Sequence, residues 1–432
     1  MVFKVGLLGL GTVGTGTAKI LLDPDGRHPL LKSIEIAKVG VRSLSKPRAI
    51  DIPGAEITTD LAAIVTDPDI DIVVEVIGGL EPSRSLILKA IEHGKHVVTA
   101  NKAVISRYGD EFFAAANQAG VYVLLEAAVG GGIPVIQPLK QSLGVNKITA
   151  VTGIINGTTN YILTRMQNEG GDFEPILADA QALGYAEADP TADVDGLDAA
   201  DKIAILASLA FGGRIDREQV FCEGIRSVSA SDIAYAEKLN FVIKLLAIAK
   251  RSQASEAIQL SVYPALVPTD HPLASVNGVF NAILVEGEPI GRVMLYGPGA
   301  GEGPTASAVV SDVMNIVATL EMEGPAEEKL PNPLLASFHE EFCSISPMSE
   351  HVGRFYLRLL VKDQPGVIGH LGTVFGQNNV SLESIVQIDL KNDIAELVAV
   401  THDVKESDFQ AAVSELANLT ETDAIASVLR VL

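Results

Sequence analysis

The sequence predicts an α/β protein with a doubly wound parallel sheet first, an α+β domain next and a ferredoxin-like βαββαβ domain last. Three observations support this order. Short apolar strands alternate with helical runs over residues 1–130, small, polar and proline residues interrupt the pattern at 331–351, and residues 352–432 read as strand, helix, strand, strand, helix, strand. We therefore expect domains at 1–130, completed by about 300–330, at 131–300 and at 352–432, with a linker at 331–351.

Composition bounds the classes of function. The chain has 432 residues, 47% of them hydrophobic, which is enough to fill two or three cores. The formal net charge of −22 argues against nucleic acid as a partner. No apolar run has the roughly 18 to 20 residues of a membrane span, and the glycine-interrupted N-terminus lacks a signal-peptide layout, so we expect a cytoplasmic protein without a membrane partner.

The first element carries a nucleotide-binding pattern. VFKVGLLGLGTVGTGTAKILL reads as a strand, then Gly9, Gly11 and Gly14 in G-x-G-x-x-G spacing, then a helix. The first glycine permits the tight turn, the second allows a pyrophosphate close to the backbone, and the third allows close packing of helix and strand. This context predicts a dinucleotide site in a Rossmann sheet.

The second strand bears on the choice of coenzyme. An NAD-binding domain usually carries an acid near the end of this strand, which accepts hydrogen bonds from the ribose hydroxyls. Here IEIAKVGVRSLSK places Arg42 at that point and Lys46 one turn on. Two cations suit a 2′-phosphate, so NADP(H) is favoured over NAD(H); solvated loop charges are the alternative.

Further alternation of strand and helix extends the parallel sheet. DIVVEVIGGL and HVVTANK are its next strands, with a helix between them from about Glu81 to His93. Ligands of such sheets bind beyond the carboxyl ends of the strands, where Gly78, Gly79 and Lys102 follow. We therefore expect Lys102 near the nicotinamide end of a bound coenzyme.

A glycine cluster follows in VYVLLEAAVGGGIPVIQPL. The carbonyl oxygens of Val129, Gly131 and Ile133, beside the Glu126 carboxylate, suit a hard monovalent cation, but the same glycines suit a tight bend. These residues alone do not decide between the two.

An acidic segment, GYAEADPTADVDGLDAADK, leads into the helix LDAADKIAILASLAF. A calcium loop with Gly196 as its sixth residue would begin at Thr191 and end at Lys202, where carboxylates are required, so an EF-hand is excluded. For Asp189, Asp193 and Asp201 individually, a solvated loop stays an open alternative.

The start of that helix indicates proton transfer. Asp198 and Lys202 lie one turn apart on the same face of an apolar-rich helix, and a lysine among carboxylates is suited to proton transfer. Reduction of an aldehyde by a nicotinamide coenzyme needs a proton donor near the new alkoxide. Lys102 is a candidate second cation, and the surplus carboxylates fit a substrate ammonium, which points to an amino-acid substrate.

Six stretches now resemble one family in order. They are GLGTVG, TANKA, EAAVGGGIP, GIINGTTNYIL, GYAEADPTADVDGLDAADK and YGPGAGEGPTASAVVSD. The chain resembles homoserine dehydrogenases over essentially its whole length. The resemblance implies interconversion of L-aspartate 4-semialdehyde and L-homoserine with NADPH or NADH, in threonine, methionine and isoleucine biosynthesis.

The resemblance also implies roles for particular residues. Lys202 and Lys102 become the catalytic lysines, with Lys202 as proton donor. The implied substrate contacts are Glu187, Asp198 and, in support, Asp193. The implied cofactor contacts are Thr12, Val13 and Gly303 beside the glycine turn, Arg42 and Lys102, with Gly184 nearby. A sodium-type site maps onto Glu126, Val129, Gly131 and Ile133. Ser43 stands where many relatives have Asp, so NAD(H) stays open as coenzyme.

The end of the chain adds two expectations. A glycine-rich loop from Gly297 to Gly303 and a helix from about Pro304 resemble the family's return to the nucleotide domain. With D-Q-P-G-V-I-G at its first turn, the C-terminal domain resembles an ACT domain. That resemblance implies an amino-acid effector, with threonine as the candidate, near Gly366 to Gly369, or a dimerisation module without effector. Either way we expect a homodimer or homotetramer.

Two alternatives remain at this point. Aspartate-semialdehyde dehydrogenase needs a cysteine nucleophile, and neither Cys222 nor Cys343 lies in a glycine-rich catalytic turn. A regulatory sensor of dinucleotide and amino acid would need no buried proton donor. Lys202 therefore separates an enzyme from a sensor.

Overall fold

A computed structural model describes residues 2–252, 257–322, 332, 334–336, 341–391 and 393–432. The chain forms two compact units. The first comprises Met1–Val151, Asp201–Gln219 and Phe280–Cys343, and the second comprises Thr152–Ala200, Val220–Val279 and Ser344–Leu432. Of the predicted linker, residues 331, 333 and 337–340 lie outside the described part of the chain.

The described elements follow one another along the whole chain. The strands are β1 (Phe3–Leu8), β2 (Ile34–Gly40), β3 (Glu56–Thr58), β4 (Ile72–Glu75), β5 (His96–Thr99), β6 (Val123–Leu124), β7 (Lys147–Ile154), β8 (Phe221–Cys222), β9 (Phe241–Arg251), β10 (Ile258–Pro268), β11 (Phe280–Glu288), β12 (Gly291–Pro298), β13 (Val352–Lys362), β14 (Leu382–Lys391), β15 (Ile394–Thr401), β16 (Val404–Lys405) and β17 (Thr422–Val431). The helices are α1 (Thr12–Leu22), α2 (Leu61–Val65), α3 (Ser83–Glu92), α4 (Lys102–Ala119), α5 (Ile136–Lys140), α6 (Gly157–Glu169), α7 (Phe173–Ala182), α8 (Thr191–Val194), α9 (Leu197–Phe211), α10 (Ala230–Lys238), α11 (Glu302–Met322), α12 (Val367–Gln377) and α13 (Glu406–Ala417).

The first unit is built on a parallel sheet with the strand order β3-β2-β1-β4-β5-β6. This is the order of two mononucleotide-binding halves joined at β1 and β4. Its strands are nearly continuous apolar runs, as expected for a sheet covered on both faces, and Val5, Leu7 and Val74 are at most 1% exposed. The predicted doubly wound sheet is confirmed.

Helix α11 completes this unit. It packs along α1, where a Cβ built on Gly16 would stand 2.8 Å from the Glu302 carbonyl oxygen and 2.9 Å from the Ala306 Cβ. Only glycine at position 16 allows so close an approach, and Lys19 and Glu302 form an ion pair at 2.6 Å across the same interface. The return helix predicted from about Pro304 is therefore present, beginning at Glu302.

The first unit also contains a smaller strand group. Strands β11 and β12 pair antiparallel, and the larger part of β7 lies next to β11. Strand β12 stands at the edge of its sheet, and its outward residues are largely exposed.

The second unit combines two parts of the chain through one sheet. The long strands β9 and β10 pair antiparallel, and β10 then pairs parallel with β17 at Ala265 and Leu266. The C-terminal segment runs β13, α12, β14, β15, α13, β17, in the sheet order β17-β13-β15-β14, with antiparallel pairing throughout. Phe355 and Phe409 stack in its core with ring centroids 4.0 Å apart. The predicted ferredoxin-like βαββαβ order is confirmed.

Among the described helices, none combines the length and the apolar character needed to cross a membrane.

Candidate functional site

The glycine turn between β1 and α1 has the predicted geometry. Gly9 has φ +105°, which an L side chain rarely adopts. A Cβ on Gly14 would stand 2.0 Å from the Gly9 carbonyl oxygen, so that position accepts only glycine, and no described atom stands within 4 Å of a Cβ built on Gly11. The turn thus leaves open space above Gly11, where backbone N–H groups at a helix N-terminus favour an anion.

Three other predicted cofactor residues lie at or beside this turn in the first unit. Thr12 and Val13 form the first turn of α1, and Gly303 lies in the first turn of α11, which packs beside α1. Gly184 follows the end of α7 with φ +77° and belongs to the second unit.

The loop after β2 presents two cations. Strand β2 ends at Gly40, two residues before Arg42, and both Arg42 and Lys46 are exposed. Arg48 folds this loop, because its guanidinium donates to the carbonyl oxygens of Ser43 at 2.7 Å and Lys46 at 3.1 Å. The loop therefore displays its basic side chains to solvent.

A buried glutamate shapes the ends of β4 and β5. Glu75 is fully buried; its Oε1 accepts hydrogen bonds from the Ile77 and Gly78 N–H groups at 3.0 and 3.3 Å and from the Ser83 hydroxyl at 3.2 Å. Its Oε2 accepts from the Thr99 hydroxyl at 2.7 Å. One carboxylate thereby fixes two loops at the carboxyl edge of the sheet, where ligands of this fold bind.

Asn101 connects that edge to Lys102. Its amide donates to the Gly79 carbonyl oxygen at 2.7 Å, and its Oδ1 accepts from the Val104 N–H at 3.3 Å, which caps α4. Lys102 is the first residue of α4. The structure therefore places Lys102 at the carboxyl edge of the sheet, as the sequence predicts.

Lys202 lies on α9 and is only 9% exposed. Its neighbour Asp201 is also buried and pairs with Arg217, whose Nε donates to Oδ1 at 2.7 Å. The solvated-loop alternative is therefore wrong for Asp201. Lys102, Asp201 and Lys202 all belong to the first unit.

Two further acids meet at one amide in the second unit. Asn156 Nδ2 donates to Asp193 Oδ1 at 2.6 Å and to Asp198 Oδ2 at 2.9 Å, while its Oδ1 caps α6 by accepting from the Thr159 N–H. Asp198 is 6% exposed. The solvated-loop alternative fails for Asp193 as well, because Asn156 brings it together with Asp198.

The remaining acids of the segment stand apart. Glu187 is exposed, and so is Asp189, whose carboxylate accepts from the Thr191 N–H. Hydrogen bonds from Thr191 lower the pKa of Asp189, and the bond from its hydroxyl has a larger effect than the bond from its N–H. Asp195 instead pairs with Arg226 at 2.5 Å. The solvated-loop alternative thus holds for Asp189 alone among the three acids in question.

The glycine-cluster segment forms a buried polar site. Glu126 is 3% exposed and accepts hydrogen bonds from the N–H groups of Val135, Ile136 and Gln137 at the start of α5, at 2.6 to 2.8 Å. Burial raises the pKa of Glu126 despite these donors.

Burial also shifts the pKa values of two ionisable groups near Glu126. The Glu126 N–H donates to Asp312 Oδ2 at 2.7 Å, and burial raises the pKa of Asp312 well above its usual range. Burial lowers the pKa of Lys140 to about 8, while Asp312 and Glu126 act in the opposite sense. Among the described residues, no group of three or more His, Cys, Asp or Glu side chains is suited to a metal ion.

The four residues assigned to the cation by resemblance all lie in this buried segment. Val129, Gly131 and Ile133 are buried, and Gly131 has φ +42°. A Cβ there would stand 2.6 Å from the Gly299 carbonyl oxygen. The glycine allows this close approach, so the bend is real, and the carbonyl groups around it remain compatible with an oxygen-only cation site.

The effector residues lie at the start of α12. Gly366 caps this helix with φ +95°, Gly369 is in its first turn, and both are exposed. No described atom lies within 4 Å of a Cβ built on either glycine.

Sequence reasoning missed three residues that organise these sites. The role of Asn156 as a helix cap could have been predicted, because an Asn directly before Gly-Thr-Thr is a helix N-cap pattern. Glu75 carried another, since a charged residue inside an apolar strand must be paired when buried. Arg48 carried none, because its bonds to the loop carbonyl groups depend on the folded turn.

Three family models match the chain in order. Residues 9–126 match the homoserine dehydrogenase NAD-binding domain, residues 134–314 match homoserine dehydrogenase, and residues 355–421 match the ACT domain.

Individual proteins match over nearly the full length. A homoserine dehydrogenase of Synechocystis sp. is 65% identical over 436 residues and covers 100% of both chains; one of Bacillus subtilis is 41% identical and covers 99% of this chain and 98% of its own. A crystal structure of a homoserine dehydrogenase from Thiobacillus denitrificans has 40% identity and a TM-score of 0.91, covering 100% of this chain and 98% of that one. A hyperthermophilic archaeal homoserine dehydrogenase in complex with NADPH has 28% identity and a TM-score of 0.63, covering 74% of this chain and 99% of that one.

A Rossmann sheet with an open glycine turn and a buried lysine is the arrangement of an NAD(P)-dependent oxidoreductase, here followed by a C-terminal ACT domain. The chain belongs to the homoserine dehydrogenase family. The predicted family and the predicted enzyme class, as against a sensor or an aspartate-semialdehyde dehydrogenase, are confirmed.

Proposed function

We propose that the chain interconverts L-aspartate 4-semialdehyde and L-homoserine with NADP(H), using Lys202 as proton donor, within threonine, methionine and isoleucine biosynthesis. The observation that carries the mechanism is Lys202, nine-tenths buried on an apolar helix and one turn beyond Asp198. A lysine without a catalytic role would be expected on the surface, neither buried nor one helical turn from a buried acid.

Lys202 and Lys102 have different roles in the proposed reaction. When bound, the nicotinamide coenzyme would supply or remove the hydride at the substrate carbon. In reduction, Lys202 donates a proton to the new alkoxide, and in oxidation its neutral amine accepts the hydroxyl proton. Lys102, at the N-terminus of α4, adds positive charge at the edge of the sheet where the coenzyme binds and stabilises negative charge on the substrate oxygen.

The acids of the second unit recognise the substrate. Asp198, Asp193 and Glu187 bind the substrate ammonium, and Asn156 holds the first two at a fixed separation. Asp198 precedes Lys202 by four residues on α9. One helix therefore carries both an ammonium ligand and the proton donor.

Coenzyme selection rests on the loop after β2. Arg42 and Lys46 bind the 2′-phosphate of NADP(H), and the Arg48 contacts keep the loop open toward solvent. The related archaeal enzyme is described in complex with NADPH, which supports this choice. NAD(H) remains the second coenzyme, because neither cation excludes a ribose hydroxyl.

A sodium ion fits the bend at Gly131. The Glu126 carboxylate and the carbonyl oxygens of Val129, Gly131 and Ile133 are all oxygen donors, which hard monovalent cations prefer. The ion would favour the ionised form of Glu126, which burial otherwise disfavours.

The C-terminal domain senses an amino acid. The open turn at Gly366 and Gly369, at the N-terminus of α12, suits a ligand carboxylate, and threonine is the proposed effector.

Two copies of the chain associate through β12. This strand is a sheet edge, and its Tyr296 stacks on Phe280 of the neighbouring strand β11, with ring centroids 5.2 Å apart. Tyr296 is 53% exposed and Phe280 is 41% exposed. Exposed stacked aromatic rings on a sheet edge fit an interface between copies, so a homodimer is the proposed minimal assembly.

The coenzyme assignment is tested by NADPH and NADH oxidation, measured at 340 nm with aspartate 4-semialdehyde. For Arg42→Ala we expect the KM for NADPH to rise at least about tenfold, since one charge-assisted phosphate contact is lost, while the KM for NADH changes little. Arg27→Ala, an exposed arginine that contacts Asp23, is the matched control. An equal loss with both coenzymes would refute a 2′-phosphate contact.

A further inference from the structure

Asp201 has a place in the fold that substrate and coenzyme binding do not explain. It directly precedes Lys202 on α9 and is 7% exposed. A buried carboxylate is costly unless it is paired, so its partners define what it does.

Three donors converge on one oxygen of Asp201. Oδ1 accepts from Arg217 Nε at 2.7 Å, from Arg107 Nη1 at 3.2 Å and from Ser106 Oγ at 3.2 Å. Ser106 and Arg107 lie on α4, and Arg217 lies in a short 3-10 turn beyond α9. All four residues belong to the first unit. A single oxygen thus joins α4 to α9.

This junction lies close to both lysines along the chain. Ser106 is four residues from Lys102 on the same face of α4, a rise of about 6 Å. Asp201 is adjacent to Lys202. The bond between the helices is therefore made within about one turn of each proposed catalytic lysine.

Packing alone does not set the spacing of the two helices here. A cavity lies between them, lined by Ile105, Phe113, Ala204 and Ser208, and the charged cluster borders it. Because side chains do not fill this space, the hydrogen bonds of Asp201 help to set the spacing of the two helices near the lysines.

We propose that Asp201 is a positioning residue, which holds Lys202 at the separation from Lys102 that proton transfer requires. The proposal rests on the assigned roles of the two lysines. A displacement of about 1 Å at a reacting group costs as much as 10²-fold in rate, so a loosened junction lowers kcat before it lowers binding.

The test compares Asp201→Asn with Asp110→Asn. Asp110 lies on the same helix α4, two turns beyond Lys102, and pairs at 3.3 Å with Arg214, which follows α9. It therefore links the same regions of the unit farther from the lysines. Each variant is measured for kcat and KM with aspartate 4-semialdehyde, for NADPH affinity by fluorescence titration, and for Tm.

We expect Asp201→Asn to lower kcat at least about tenfold, with NADPH affinity and the KM for the aldehyde within about threefold of wild type. Asp110→Asn keeps kcat within about twofold, although both variants lower Tm. Equal kcat values for Asp201→Asn and wild type, or an equal loss in Asp110→Asn, would overturn the proposal. If Asp201→Asn fails to fold, Arg107→Met serves instead, because that side chain is 31% exposed, and the same split is expected.

Lys202→Ala, assayed in parallel, distinguishes a failure of the proton-donor assignment from a failure of the positioning proposal. Near wild-type turnover in Lys202→Ala would show that Lys202 is not the proton donor. Lost turnover in Lys202→Ala together with full turnover in Asp201→Asn would remove only the positioning role.

Discussion

Asn156 acts at two points with one amide group. Its oxygen caps α6, and its nitrogen bridges Asp193 and Asp198. Two carboxylates held this close repel each other unless a donor or a cation lies between them. The substrate ammonium we propose would join a site that Asn156 has already assembled.

Replacing Asn156 separates its two tasks. Asn156→Ser keeps a good N-cap but cannot donate to both acids, whereas Asn156→Ala loses both functions. We expect both variants to raise the KM for homoserine at least about tenfold, about 1.4 kcal/mol or more of binding, and only Asn156→Ala to lose an additional ~1 kcal/mol of unfolding free energy. Steady-state kinetics and urea unfolding measure the two effects. Unchanged KM in Asn156→Ser would show that the bridge does not serve binding.

At the scale of elements, the ACT domain is tied to α10 by a buried ion-pair cluster. Arg358 on β13 donates from Nε to Asp232 Oδ1 at 2.9 Å and from Nη1 to Glu396 Oε1 at 2.7 Å. Asp232 is fully buried and forms the capping box of α10 with Ser229. These residues all lie in the second unit, where the parallel pairing of β10 with β17 adds a second connection.

Breaking this cluster from one side leaves a buried charge without its partner. We expect Arg358→Met to lower the free energy of unfolding by about 3 to 5 kcal/mol, and the double variant Arg358→Met with Asp232→Asn to recover much of that loss. Chemical denaturation of all four species of the double-mutant cycle measures the coupling. Additive losses in the double variant would mean that the two residues act independently.

The sequence predicts elements well where local pattern and burial agree. The glycine turn, the parallel strands and the βαββαβ order follow from periodicity and from residues such as Gly9 and Gly14, which backbone geometry requires. The burial and partners of the acids in GYAEADPTADVDGLDAADK could not be predicted from local pattern, because these partners are distant in sequence. Asp201 pairs with Arg107, 94 residues away, and Asp193 with Asn156, 37 residues away. Spacing along the chain carries no information about such pairs.

At the scale of the whole molecule, a net charge of −22 must coexist with an anionic coenzyme. We propose that locally placed donors meet the coenzyme: the N–H groups at the start of α1, the exposed Arg42 and Lys46, and Lys102 at the carboxyl edge of the sheet.

The proposed assembly is tested at the same scale. Tyr296→Glu places a charge on the exposed edge strand β12, and we expect it to shift the protein from dimer toward monomer, because an unpaired charge at an interface is costly. Tyr108→Glu, on α4 away from that strand, is the control. Sedimentation velocity over a range of concentrations measures the change. A Tyr296→Glu variant that sediments as wild type does would exclude this face.

We propose that Lys202 transfers the proton in a reaction coupled to NADPH oxidation. The most direct measurement follows absorbance at 340 nm with aspartate 4-semialdehyde and NADPH for wild type and Lys202→Ala, with NADPH binding measured on both. We predict aldehyde-dependent oxidation by the wild type, and in Lys202→Ala a kcat lower by at least about 10²-fold with NADPH still bound. Turnover in Lys202→Ala close to that of the wild type would exclude Lys202 as the proton donor.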